Sequence, residues 1–138
     1  MVNEASLYNP LTLAYLGDAV LDLHVRSYIV RKKNKKPNEL HRQSTFFVSA
    51  KSQAQTFDTL VEAHYFTDQE LEILMRGRNA KSHTRAKNTD VISYKKSTAL
   101  EAVIGYLHLN DENERLYELL EEIIALCEER GKNEQTSK

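Results

Sequence analysis

Two acidic residues fall within helical patterns of apolar residues. Asp18 shares one helical row with residues that are otherwise all apolar: Leu11, Ala14, Leu21 and Val25. Burying a carboxylate without a partner costs several kcal/mol. Asp18 is therefore expected to be paired, protonated or bound to a metal ion. Glu101 lies in a second long apolar helix, in a more polar row that also contains Thr98 and His108.

An interior glycine lies close to each of these acids. Gly17 precedes Asp18, and Gly105 follows Glu101 by one helical turn. Glycine inside a helix costs roughly 1 kcal/mol relative to alanine, and its presence there often means that another backbone passes close by. If the two helices cross at the glycines, both carboxylates can point at one site. Such oxygen ligands suit Mg²⁺, which keeps several waters and takes only one or two carboxylates. A bound water or hydroxide would then attack a phosphodiester.

The ordinary structural interpretation of the same acids is a carboxylate satisfied by a lysine, a helix cap or a tyrosine. On spacing alone, that interpretation is the more frequent one. Glu101 by itself carries less weight than Asp18, because its polar row is expected to be solvated. Asp22 is assigned a structural role, because Arg26 lies four residues later and forms an ordinary helical ion pair with it.

A basic segment over residues 75–88 contains side-chain types that contact phosphates without reading base sequence. Its predicted RNA-binding residues are Arg76, Arg78, Lys81, His83, Arg85 and Lys87. The segment has no aromatic residue on which bases could stack, so a duplex is favoured over single strands. A solvated surface loop is the equally open alternative. A shorter basic run at 31–36 is less specific.

Composition restricts the class of protein further. The 138 residues suit one domain, and the net charge of −1 hides separate basic and acidic regions. The single cysteine, Cys127, completes an apolar stripe and is expected to be a core thiol in a reducing, cytoplasmic compartment. Neither a membrane span nor a secretion signal is expected. The cysteine and histidines lack the spacing of zinc ligands, so no zinc site is expected. A phosphate-binding loop and a dinucleotide fingerprint are also lacking, so no nucleotide cofactor is expected.

Helix signals recur along the chain, while strand signals are weak. Six helices are predicted, over about 10–29, 38–46, 50–64, 67–76, 90–109 and 111–131. Asn9 and Pro10 indicate the start of the first helix, and the third is expected to carry His64 on its apolar face. Residues from Gly77 to Asn88 are predicted to form a loop. The chain is therefore predicted to be one all-α domain over 1–131, with a disordered polar tail at 132–138.

Two segments resemble the motifs of a known family. Leu13–Leu21 reads Leu-Ala-Tyr-Leu-Gly-Asp-Ala-Val-Leu and resembles the ribonuclease III signature, which ends in Phe-Leu-Gly-Asp-Ala-Val-Leu. Leu100–Leu109 reads Leu-Glu-Ala-Val-Ile-Gly-Tyr-Leu-His-Leu and resembles that family's second motif, Phe-Glu-Ala-Leu-Ile-Gly-Ala-Ile-Tyr-Leu. The first motif is fairly specific, and the ordered pair is considerably more so.

This resemblance implies an all-α homodimer with a Mg²⁺-dependent endonuclease site in each protomer. Such an enzyme cuts double-stranded RNA to leave 5′-phosphate and 3′-hydroxyl ends. Asp18 and Glu101 match the acids of the two motifs, so the resemblance makes them catalytic residues and metal ligands. Ala14 and Thr98 occupy positions where the family has two further acids. The number of metal ions is therefore left open.

No double-stranded RNA-binding domain is expected after the sixth helix. In this respect the chain is similar to the Mini-ribonuclease III branch, a lone catalytic domain with a reduced set of acids. Members of that branch trim the precursor of large-subunit (23S) ribosomal RNA in bacteria. The branch therefore implies a ribosomal RNA precursor as substrate.

Two other functions stay open. The missing acids would suit a non-catalytic relative, a ribonuclease III-like RNA-binding or ribosome-associated module. Retention of both Asp18 and Glu101 favours the nuclease instead. A third hypothesis is a helical protein-interaction domain that uses the acidic sixth helix as its contact surface.

Overall fold

A computed structural model describes residues 4–32, 36–81 and 90–136 of the chain. All regular structure in these ranges is helical, which confirms the predicted all-α fold. A 3-10 turn at Glu4–Leu7 precedes six α-helices, which are α1 (Pro10–Lys32), α2 (Pro37–Val48), α3 (Ala50–Glu62), α4 (Asp68–Asn79), α5 (Val91–Leu109) and α6 (Asn113–Thr136). No helix in the described ranges is long and apolar enough to cross a membrane.

Three helix starts follow from side-chain caps that the sequence announces. The Asn9 carboxamide oxygen accepts the backbone N–H two residues later, at 2.8 Å, and opens α1. Thr67 and Glu70 exchange side-chain and backbone hydrogen bonds as a complete capping box at the start of α4. Asp90 accepts the backbone N–H of Ser93 at 2.7 Å and opens α5. Each cap satisfies a backbone donor that has no partner within its helix.

Helices α4 and α6 extend beyond their predicted ends, because an interior glycine was taken in each case as the end of the helix. Helix α4 continues through Gly77 to Asn79, and α6 continues through Gly131 to Thr136. The loop predicted from Gly77 and the tail predicted from residue 132 therefore begin too early. Neither glycine has the positive φ of a helix-terminating glycine. Instead, a Cβ at Gly77 would meet the α5 backbone at 2.9 Å, and one at Gly131 would meet the Phe46 ring at 2.9 Å.

Helix α3 is shorter than predicted. It ends at Glu62, and His64 lies beyond it in the left-handed conformation with φ of 54°. His64 is exposed, so its assignment to an apolar helical face is wrong. A left-handed residue cannot continue the helix, which is why the periodic pattern stops being helical there.

The core is built around α5. Most of its residues from Ser97 to Leu107 are buried, and the helix packs against α1, α3, α4 and α6. Cys127 of α6 is 1% exposed, as predicted for a core thiol. The predicted pair of Asp22 with Arg26 is confirmed at 3.0 Å on the outer side of α1. The middle of α5 is thus enclosed by its neighbouring helices, while Val91, Ile92 and Leu109 near its two ends are exposed.

Candidate active site

Helices α1 and α5 touch through their backbones at two glycines. A Cβ at Gly17 would overlap the backbone carbonyl oxygen of Glu101. A Cβ at Gly105 would likewise overlap the carbonyl oxygen of Leu13. Any side chain at either position would therefore push the helices apart. This contact confirms the predicted crossing, and it explains why two costly glycines stand inside long helices.

The crossing brings Asp18 and Glu101 together, with their carboxyl groups within hydrogen-bonding reach of each other. Their environments are the reverse of the prediction: Asp18 is exposed, and Glu101 is half-buried. Gly17 occupies the contact with α5, and the next residue of α1 is turned by about 100° around the helix, towards its edge. Glu101, in contrast, is partly covered and contacts Gln53 of α3. The site is therefore open on the α1 side and shielded on the α5 side.

Electrostatics at this pair favour a cation. Burial is the largest cause that raises the pKa of Glu101, to about 9, and the hydrogen bond and negative charge of Asp18 raise it further. A hydrogen bond from Gln53 acts in the opposite direction. Two carboxyl groups this close do not readily carry two negative charges unless a positive charge lies between them. A divalent ion would supply that charge and hold both groups deprotonated.

The donor set fits Mg²⁺ better than a metal that needs a full cage of protein ligands. Within 4–32, 36–81 and 90–136, no group of three or more His, Cys, Asp or Glu residues is arranged to hold a metal. Magnesium is bound through one or two carboxylates and keeps several waters, some of which substrate phosphates replace. A pair of acids, open to solvent on one side, satisfies that requirement.

Gln53 is a member of the site that sequence reasoning missed. It lies in the first turn of α3 and is 2% exposed. Its amide nitrogen donates to the carbonyl oxygen of Val48 at 2.9 Å and to Oε2 of Glu101 at 3.4 Å. Its own oxygen, Oε1, is buried and has no hydrogen-bond partner among the described residues. One feature of the sequence could have revealed Gln53: it lies on the same helical row as Phe57 and Leu60, where a buried apolar residue is usual.

The two positions at which the family motifs have further acids are buried in this structure. Ala14 and Thr98 are each 7% exposed. The Thr98 hydroxyl donates to the backbone carbonyl oxygen of Tyr94 at 2.9 Å, within its own helix. Neither residue offers a carboxylate in place of those that the family motifs contain, so Asp18 and Glu101 are the acids available at the crossing.

The predicted RNA-binding residues lie at the end of α4 and beyond it. The Arg76 guanidinium donates to the carbonyl oxygens of Ser6, at 2.6 Å, and of Tyr8, at 3.2 Å, and so ties α4 to the N-terminal segment. Arg78 and Lys81 are exposed. The remaining three residues of that prediction, His83, Arg85 and Lys87, fall outside the described residues. The assignment of this segment to RNA binding stays a prediction.

Comparison with known proteins identifies the family. The model of the ribonuclease III domain matches residues 11–112, a span that contains both acids and both glycines of the crossing. A Mini-ribonuclease 3 of Staphylococcus aureus is 62% identical over 128 residues, covering 93% of this chain and 96% of that protein. The chain belongs to the ribonuclease III family, in its Mini-ribonuclease 3 branch.

Other relatives agree with this assignment. A Mini-ribonuclease 3 of Streptococcus pneumoniae is 44% identical, covering 90% of this chain and 94% of that protein. A crystal structure of a Fusobacterium nucleatum protein is similar, with a TM-score of 0.75 and 28% identity, covering 86% of this chain and 93% of that one. As a ribonuclease III family member of this branch, the protein is an endoribonuclease, a hydrolase of phosphodiester bonds in RNA.

Proposed function

We propose that this ribonuclease III family member is a Mg²⁺-dependent enzyme that cuts double-stranded RNA and leaves 5′-phosphate and 3′-hydroxyl ends. The observation that carries the proposal is the pair of Asp18 and Glu101 at the glycine crossing, inside the matched domain. Its physiological substrate is proposed to be the 23S ribosomal RNA precursor in the cytoplasm. The support for that target is the likeness to Mini-ribonuclease 3 proteins.

The residues of the site divide the work between them. Asp18 and Glu101 would hold Mg²⁺, which supplies positive charge at the scissile phosphate and lowers the pKa of a bound water. Asp18 is the exposed member, so it faces the side from which a phosphodiester can enter. Glu101 is anchored on the shielded side, where it contacts Gln53. The half-buried surroundings strengthen electrostatic attraction to the ion, because less water screens the charges.

Phosphate contacts outside the site are proposed to come from the cationic end of α4. Arg78 and Lys81 are exposed there, and such residues bind a nucleic acid backbone without reading its bases. His83, Arg85 and Lys87 extend the same proposal along the chain. Arg76 contributes less to it, because two of its donors already serve backbone carbonyls.

A homodimer is proposed from the outer face of α1. Tyr15, Leu23 and Val30 are 81%, 69% and 55% exposed, although all three are large and apolar. At about 100° per residue they fall within about 80° of one another on the outer face of α1, which also carries the Asp22–Arg26 pair. Asp18 lies about 60° from Tyr15 around the same helix. Apolar side chains exposed together favour a protein contact. Two-fold pairing through this face would place two sites across one duplex and produce staggered cuts.

A cleavage assay tests the proposed reaction. The purified protein meets long double-stranded RNA, single-stranded RNA and duplex DNA, each with Mg²⁺ or with EDTA. Only the RNA duplex with Mg²⁺ should be cut, and Asp18→Asn should remove cutting while leaving RNA binding intact. Asp22→Asn is the matched control, because Asp22 lies one turn along α1 and pairs with Arg26. Wild-type cutting by Asp18→Asn would refute the assignment of Asp18.

The same assay distinguishes the alternative function. A folded wild-type protein that binds duplex RNA and never cuts it would be the non-catalytic, ribosome-associated module.

The proposed dimer is tested by light scattering, which measures the molar mass in solution. Leu23→Lys should convert the proposed dimer into a monomer, and an unchanged mass would exclude the outer face of α1 as the interface.

A further inference from the structure

We propose that Gln53 is a positioning residue of the cation site, whose carboxamide holds Glu101 against Asp18 in the arrangement that binds Mg²⁺. This inference rests on the proposed function, because it assigns a role within the same site. Gln53 brings a third helix, α3, to the crossing of α1 and α5. The site then consists of two acids and one carboxamide.

The orientation of the Gln53 carboxamide follows from its backbone partner. The Val48 carbonyl oxygen can only accept a hydrogen bond, so the atom 2.9 Å away from it must be the amide nitrogen. That nitrogen has a second hydrogen, and Oε2 of Glu101 is its acceptor at 3.4 Å. Val48 therefore sets the orientation of the Gln53 carboxamide, whose amide nitrogen then faces one oxygen of Glu101.

The remaining polar atom of Gln53 also suits this role. Oε1 is buried and receives no hydrogen bond from the described residues. An unsatisfied buried acceptor is costly, so a well-packed methionine or leucine would suit a purely structural position better. If Asp18 and Glu101 hold Mg²⁺, the waters that the ion keeps would supply a donor of the kind that Oε1 lacks. Residues that orient metal ligands in this way are typical supporting members of metal sites.

The test measures metal affinity without using cleavage. Mn²⁺ replaces Mg²⁺, because electron paramagnetic resonance reports free Mn²⁺ directly. Gln53→Met preserves the length of the side chain and removes both polar ends. We expect the Kd for Mn²⁺ to rise about tenfold, the lower end of the usual effect for residues that support metal ligands. Cleavage at limiting Mg²⁺ should fall as well, and raising Mg²⁺ about tenfold should restore it.

Thr56→Val is the matched control. Thr56 is a fully buried polar residue of the same helix, and its hydroxyl accepts from Arg130 at 2.9 Å, outside the site. This variant should lower the melting temperature and leave the Kd for Mn²⁺ unchanged. If circular dichroism shows that Gln53→Met does not fold, Gln53→Asn replaces it. The shorter side chain keeps the carboxamide but withdraws it from Glu101, and the same loss of affinity is expected.

Each outcome decides a different point. Weaker Mn²⁺ binding in the Gln53 variant, with normal binding in Thr56→Val, supports the positioning role. Equal affinity in the wild type and in a folded Gln53 variant overturns that role and leaves the proposed metal site intact. Absence of Mn²⁺ binding by the wild type itself overturns the metal-dependent function, and the positioning role with it.

Discussion

The crossing of α1 and α5 and the cationic end of α4 are proposed to serve one reaction, but they are built in opposite ways. At the crossing, backbone touches backbone, and one of the two acids is shielded by neighbouring helices. At the end of α4, Arg78 lies in the last turn and Lys81 lies beyond it, and both are exposed. The crossing holds the two acids at fixed positions, and the end of α4 exposes positively charged side chains.

This difference matches what each task requires. A metal site needs its ligands within about 0.5 Å of the productive geometry, which rigid elements provide. Phosphate binding needs only cations within reach of a polyanion, which a helix end provides. Variants at the crossing should therefore change stability and metal response, whereas variants at the end of α4 should change RNA affinity and its salt dependence.

The largest effect is expected from Gly105→Ala. The new Cβ would overlap the carbonyl oxygen of Leu13, and backbone cannot move aside as a flexible side chain can. We expect the free energy of unfolding to fall by about 3 kcal/mol, the upper part of the usual range for overpacking. Chemical denaturation measures it. Gly131→Ala is the control, because its neighbour is only the edge of the Phe46 ring and alanine favours helix. Equal stability of Gly105→Ala and the parent would refute the backbone contact.

The second effect concerns pH and Glu101. Its pKa is about 9 in the folded state against an ordinary value of 4.5, so the folded state retains a proton that the unfolded state has lost between these values. The metal-free protein should therefore lose stability as pH rises through that window. Glu101→Gln should remove the loss and be the more stable protein at pH 8 in EDTA, by on the order of 2 kcal/mol. Urea denaturation at pH 5 and pH 8 measures the difference.

The control for that experiment is Glu129→Gln, an exposed glutamate of α6. It should keep the pH dependence of the parent. If Glu101→Gln and the parent lose stability in parallel between pH 5 and pH 8, the shielding of Glu101 is wrong.

A smaller effect is expected from Asp18→Asn in the absence of metal. Burial is the largest cause of the raised pKa of Glu101, and the contact with Asp18 is secondary. Removing the Asp18 charge should therefore recover only part of the stability at pH 8 that Glu101→Gln recovers. Added Mg²⁺ should raise the melting temperature of the parent and of neither variant. A full Mg²⁺ response in Asp18→Asn would show that the ion binds elsewhere.

The smallest effect on the fold is expected from the double variant Arg78→Gln and Lys81→Gln. Stability and Mg²⁺ response should stay as in the parent, while RNA affinity falls. The slope of log affinity against log salt should become shallower by up to about 0.9 for each phosphate that the variant no longer neutralises. Lys96→Gln is the control, because Asp58 already holds that cation at 2.7 Å. An unchanged salt slope in the double variant would remove the end of α4 from the RNA interface.

Much of the fold was predictable because its signals are local. Caps at Asn9, Thr67 and Asp90 mark helix starts whatever the tertiary structure. Gly77 and Gly131 misled the prediction because a glycine packed inside a helix against a neighbouring element looks the same in sequence as a glycine that ends a helix. Only the position of the neighbouring helix distinguishes the two cases, and that position is not a local property.

The site was predictable in part. Spacing placed an acid beside a glycine on each of two helices, and the crossing follows from that arrangement. The prediction that Asp18 would be buried and Glu101 solvated was wrong, because the exposure of each acid depends on how its helix is rotated at the contact. Gln53 was missed because it lies 48 residues from Glu101 along the chain and carries no motif of its own. Its role is visible only once α3 is packed against α5.

The glycine crossing also bears on how this site could be engineered. No layer of side chains separates α1 from α5 at Gly17 and Gly105. The distance between the two acids is therefore set by the contact between the two backbones. Replacing core residues elsewhere with larger or smaller ones should therefore leave the distance between the two acids unchanged. The two crossed helices, with their glycines and acids, are accordingly the smallest unit to graft into another helical scaffold, and residues around them, Gln53 first, are the ones to vary for a different metal.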